Sequence, residues 1–194
     1  MAEELYESPR GEISQGDILE LLPHVYLDKP LLALAKETET ILRCSGEPFP
    51  HFDDKNGQQI VASCKRQRAI LLSHDCEIDK KHVKGWLTCP VVPLVSLAPE
   101  NRDRVKRNRI YAMLYLPRYR DVVHESFVDF NQITTLDAGY IKTATRLVSL
   151  SDMGRRALYA QFIRWLTRWE LRDISCPSCR VAFNPSLVLP VRTS

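Results

Sequence analysis

Arg68-Ala69-Ile70-Leu71-Leu72-Ser73-His74-Asp75-Cys76-Glu77 places a cation before an apolar run and a dense set of titratable groups directly after it. The apolar run predicts a buried strand. A strand end is rigid, so side chains placed there are held in fixed geometry. If the strand continues, His74 and Cys76 share a face and Asp75 points the other way. Three readings stay open. Cys76 and His74 form a nucleophile and its base; the cluster is part of a metal site; or Asp75 caps a turn while Cys76 is buried, and the polar end is structural.

Cys176-Pro177-Ser178-Cys179 is a second chemical signal. A CxxC knuckle commonly supplies half of a tetrahedral zinc site. Cys44 and Cys64 are candidates for the other half, with His51 between them, and such a zinc would be structural. Free thiols or a redox pair are the alternatives. A third signal is charge. Arg102, Arg104, Lys106, Arg107 and Arg109 cluster, and Arg155, Arg156, Arg164, Arg168 and Arg172 recur further on. Each set suits either a solvated face or a contact surface for phosphates or an acidic protein.

The elements that must position these groups follow from periodicity and breakers. Residues 1–13 read as a flexible arm, and 14–173 as the main domain. Leu31 to Leu42 is ambiguous between helix and strand. Residues 43–59 hold prolines, glycines and Asn56-Gly57, which marks an inserted loop. Strands are predicted at 18–22, 60–64, 69–73, 86–97, 110–116 and 125–130. A short helix is predicted from Pro99. Ser149 to Asp152 reads as a helix start, and Leu158, Phe162, Trp165, Leu166 and Trp169 recur at helical spacing as a core stripe. Residues 174–194 form a separate tail carrying the CxxC. This order predicts an α+β, mainly β fold: a small curled sheet or half-open barrel closed by a C-terminal helix.

The chain has 194 residues, 44% of them hydrophobic and 26% charged, with a net charge of +3. That suits one soluble domain and is too little charge to prove nucleic-acid binding. No apolar stretch reaches the roughly 20 residues that span a bilayer. The polar N-terminus and six cysteines fit a cytoplasmic setting.

The element order and four segments resemble the MazF/PemK family, the small-barrel toxins related to CcdB. The segments are Gly16-Asp17-Ile18, Arg68 to Ser73, Val91-Val92-Pro93-Leu94-Val95-Ser96, and Val128 to Asp137. The resemblance implies an SH3-like half-open barrel and a metal-independent endoribonuclease that uses the RNA's own 2′-hydroxyl. It assigns the stabilising cation to Arg68 and a hydroxyl to the threonine of the third segment. Val95 stands at that threonine and has no hydroxyl; the adjacent Ser96 would point to the opposite strand face, so a one-residue shift or bulge is needed for it to substitute. The expectation is therefore a non-catalytic MazF-like binding or regulatory module of a prokaryotic defence or stress-response system. It would act through a protein partner, protease-linked, sigma-factor-linked or an antitoxin, with contacts at Arg102, Arg104, Lys106, Arg107, His74 and Asp75. The alternative is a toxin of a toxin–antitoxin pair that cuts RNA with Arg68. The family commonly dimerises, so a homodimer is a further expectation.

Overall fold

The computed structural model describes residues 3–9, 11–26, 32–35, 40–43, 59–61, 63–80, 82–167, 174–175 and 182–183. The strands are β1 (Tyr6–Glu7), β2 (Asp17–Tyr26), β3 (Leu32–Ala35), β4 (Thr40–Arg43), β5 (Gln59–Val61), β6 (Ser63–Leu71), β7 (Gly85–Pro93), β8 (Met113–Leu116), β9 (Ser126–Asp129), β10 (Thr134–Asp137), β11 (Arg146–Leu150), β12 (Ile174–Ser175) and β13 (Ala182–Phe183). The helices are α1 (Asp75–Ile78), α2 (Pro99–Lys106), α3 (Ala138–Lys142) and α4 (Asp152–Thr167). None of the described helices is long and apolar enough to cross a membrane.

The chain divides into two units, residues 23–66 and the remainder. The smaller unit contains a three-stranded sheet in the order β4-β3-β5. The ambiguous stretch 31–42 thus contributes the hairpin partners β3 and β4, paired from Leu32↔Arg43 to Ala35↔Thr40. The predicted insertion, 43–59, falls in this unit and almost wholly outside the described residues.

The larger unit is an α+β fold dominated by an eight-stranded sheet in the order β1-β11-β2-β6-β7-β9-β8, with β10 also on β7. The pairs β1–β11, β11–β2, β6–β7, β7–β10, β7–β9 and β9–β8 are all antiparallel. The path runs from β1 to β8 without closing. β7 organises the sheet. One edge pairs with β6, Ile70 opposite Cys89; the other takes β10 along its first half and β9 along its last residues. Pro90 lies between those two pairings, where a missing N–H interrupts no run on that edge.

Both sheet faces are covered, which explains the unbroken apolar run of β6. Ile70 joins a core with Ile18, Val91, Val128, Phe130 and Val148, whereas its neighbours Ala69 and Leu71 face a second core with Leu19, Leu22, Trp86 and Ile141. Successive strand residues point to opposite faces, so each face claims alternate positions. Helix α4 closes the first core with Leu158, Phe162 and Trp165; the Phe130 ring lies 5.7 Å from Phe162 and 6.0 Å from Trp165. Leu166, placed in the predicted stripe, is exposed, and Trp169 is outside the described residues.

Three local readings change. Leu5 and Tyr6, within the predicted flexible arm, are buried: β1 pairs with β11, and the Tyr6 hydroxyl donates to the Pro117 carbonyl at 2.8 Å. The strand predicted from residue 110 begins only at Met113. The helix predicted from Ser149 begins at Asp152, because Ser149 and Leu150 are pairing in β11; Ser151 accepts from the Gly154 amide at 3.2 Å.

Gly154 has a packing role that its helix propensity conceals. A Cβ there would stand 2.4 Å from the Leu5 carbonyl oxygen and 3.0 Å from Leu150 Cβ. Replacing a helical glycine with alanine usually gains up to about 1 kcal/mol. Here overpacking reverses the sign, and Gly154→Ala should lose about 2 kcal/mol. A lower urea midpoint is the expected result; a higher one contradicts the packing.

Candidate functional site

The strand end that opened the sequence is a helical turn, not an extended continuation of β6. Ser73 takes over from the ladder: its hydroxyl accepts from the Leu87 amide at 2.8 Å. His74 is the N-cap of α1, with φ −71° and ψ 147°. Its Nδ1 accepts from the Cys76 amide at 3.3 Å and lies 3.1 Å from Cys76 Sγ. Asp75 Oδ1 accepts from the Gln15 amide at 2.6 Å, and Gln15 Nε2 donates to the Leu72 carbonyl at 2.7 Å. The cluster therefore caps a turn and fastens it to the Gly16-Asp17 corner. Cys76 is exposed rather than buried. The helical turn, not a shared strand face, brings His74 Nδ1 and Cys76 Sγ together.

Arg68 is half-buried, and its Nη1 donates to the Val122 carbonyl at 2.8 Å. The strand expected to run through Ser96 stops at Pro93, and Leu94–Ser96 is a 3-10 turn. The opposite-face reading of Val95 and Ser96 lapses with it. Val95 is 72% exposed. The Ser96 hydroxyl donates to the Pro93 carbonyl at 2.7 Å. Arg102 reaches back to the same turn, Nε to the Leu97 carbonyl at 2.7 Å and Nη2 to the Val95 carbonyl at 2.8 Å.

Helix α2 starts with Pro99, whose missing N–H has no helical partner to lose, and carries Arg104 and Lys106 in its last turn, where they complement the helix dipole. Lys106 Nζ meets Glu125 at 2.9 Å, and the Tyr115 hydroxyl donates to the same carboxylate at 2.6 Å. The Tyr115 hydrogen bond, then Lys106, hold the Glu125 carboxyl below the usual carboxylate range. Burial, then Glu125, push the Tyr115 phenol up. Arg104 bonds Asn101 at 3.4 Å, and Arg107 is exposed at the helix end.

Of the predicted zinc ligands, Cys64 is described and exposed, while Cys44, His51, Cys176 and Cys179 lie outside the described residues. Among the described residues no group of three or more His, Cys, Asp or Glu is arranged to hold a metal.

Sequence reading passed over two groups. Asp17 is fully buried. It accepts from the Ser14 amide at 2.9 Å and from the Ser149 hydroxyl, and faces Arg146 Nη1 at 3.4 Å. Arg146 is oriented by the Glu12 and Gly11 carbonyls at 2.8 and 2.7 Å. The Gly16-Asp17-Ile18 segment was a signal for Asp17; nothing local marked Arg146 as its partner. His24, on β2, is 2% exposed, and neither ring nitrogen has a partner among the described residues. Burial lowers its pKa from 6.5 to about 4.

No family model matches the chain, and no curated protein matches it.

Two outcomes test these assignments. Asp17→Ala leaves the Ser14 amide and Arg146 without their carboxylate, and should cost about 3 kcal/mol by urea unfolding with the slope unchanged; a loss below about 1 kcal/mol contradicts the network. For His24, the unfolded chain binds a proton between pH 6.5 and about 4 while the folded chain does not. Stability is then full above that window and falls as pH drops through it. His24→Leu should flatten that slope, and an unchanged slope removes His24 as its source.

Proposed function

We propose that the chain is a non-catalytic binding or regulatory module on a MazF-like half-open barrel, working through a protein partner in a prokaryotic defence or stress-response system. One observation carries the proposal: the groups that the resemblance would assign to RNA cleavage are bonded to the chain's own backbone. Arg68 holds the Val122 carbonyl at 2.8 Å, and Ser96 holds the Pro93 carbonyl at 2.7 Å. Val95 has no hydroxyl to offer a phosphate. Cleavage requires an acid or base and a cation free to follow charge as it develops.

The partner surface we assign is the 3-10 turn with α2. Val95, 72% exposed, gives an apolar point. Arg104 and Arg107 give exposed cations, and Arg102 fixes the turn beneath them by its bonds to the Val95 and Leu97 carbonyls. An exposed apolar point and exposed guanidinium groups on the adjoining helix suit an acidic protein surface. A cytoplasmic setting belongs to this proposal.

A nuclease remains the second reading, because only Nη1 of Arg68 is taken by its carbonyl bond and a guanidinium has five N–H donors. Incubation of the full chain with long single-stranded RNA in EDTA, beside Arg68→Ala, separates the two. The proposal predicts intact RNA with both proteins. Fragments that depend on Arg68 would overturn it.

A further inference from the structure

We propose that the cleft between the α1–β7 connection and α3 is a binding site for a phosphate group. The cleft has a volume of about 360 Å³. Lys80, Lys84 and Lys142 line it from two separate elements, and Trp86 lines it from β7. Among the described residues, none of the three lysines takes part in an ion pair. Trp86 is 1% exposed, and its indole Nε1, a donor only, has no acceptor among the described residues. A buried donor left without an acceptor is uncommon in a folded chain. The ammonium of Lys142 stands 5.3 Å over the same ring, so this cation is held on the residue that carries the unused donor.

The acidic members of the lining offset this charge only in part. Asp137 Oδ1 is held at the start of α3, accepting from the Tyr140 amide at 3.1 Å. Asp79 and Asp137 together set two carboxylates against three ammonium groups, which leaves the lining one positive charge in excess. The adjoining cleft, of about 490 Å³, shares Lys142 and adds Arg146, but Arg146 is already engaged by Asp17 and two carbonyls. Of the two clefts, only the first is lined by all three lysines. A tetrahedral dianion has oxygens enough for three ammonium groups at once, and charge-assisted bonds of this kind are the strong ones. The lysines belong to one concavity rather than to a stripe, which suits a compact ligand more than an extended strand. Free phosphate and a phosphate monoester share this chemistry.

The test follows the indole N–H resonance of Trp86, assigned among the chain's three tryptophans, by NMR on the full-length chain. Inorganic phosphate and glycerol 3-phosphate are titrated separately at constant ionic strength, with sodium chloride as the matched control. The expected result is a saturable displacement of the Trp86 signal by a phosphate compound and none by chloride. The Lys84→Gln/Lys142→Gln double variant, its fold checked by circular dichroism, should weaken that binding at least tenfold. Tighter binding of glycerol 3-phosphate assigns the site to monoesters, and equal or tighter binding of inorganic phosphate assigns it to the free ion. No saturable displacement, an equal one from chloride, or one unchanged in the double variant overturns the proposal.

Discussion

Asp17 is a carboxylate with no exposed surface, held at the corner where the chain enters β2. Its partners come from different places: the Ser14 amide from the preceding turn, and Ser149 and Arg146 from β11. Burying such a charge is costly unless it is paired and hydrogen-bonded. The pairing therefore dictates that β11 lies beside β2, in the register that puts Ser149 opposite Asp17. The rest of the corner follows. Gly16, at φ +88°, turns the chain so that its amide donates to the Leu71 carbonyl at 2.9 Å and its carbonyl accepts from Leu150 at 3.0 Å. Only glycine enters that backbone region without strain.

The same corner determines what the polar end of β6 does. Gln15 precedes Gly16, and its amide takes Asp75 while its side chain takes the Leu72 carbonyl. A group of residues that could have formed an open catalytic strand end is folded into a capped turn. The Arg68 and Arg102 guanidinium groups act alike: each satisfies carbonyls of irregular backbone, at Val122 and at the Val95–Leu97 turn. A backbone carbonyl in a turn has no ladder partner, and a long cation is one of the few side chains that reaches it. What the cations do for the turns limits what they can do for a substrate.

Much of this fold was legible before the structure. Period-two and continuous apolar runs marked β2, β6, β7 and β9, and helical spacing marked α4 through Leu158, Phe162 and Trp165. Of the expected α+β, mainly β fold, the structure shows an antiparallel eight-stranded sheet with a C-terminal helix, and the sheet is not closed. What local pattern missed is non-local in origin. Tyr6 looked like part of a loose arm because its partners, Pro117 and Tyr119, are far along the chain. The Val95-Ser96 stretch looked like strand because its side chains are strand-like; the turn is made by Arg102, which follows it. His74 and Cys76 do meet, but on a helical turn rather than on a shared strand face, and the Gln15–Asp75 bond that ties this turn down comes from far along the chain. Arg68 was expected ahead of a strand beginning at Ala69 and instead lies inside β6, and its bond to Val122 was not legible because it crosses to a different loop.

The central claim is that Arg68 serves the fold. The most direct measurement is the NMR signal of the Arg68 guanidinium while the full chain is titrated with single-stranded RNA. A group held by the Val122 carbonyl should give slowly exchanging N–H signals that keep their positions as RNA is added. Saturable movement of those signals with RNA would contradict the account and return Arg68 to the reaction.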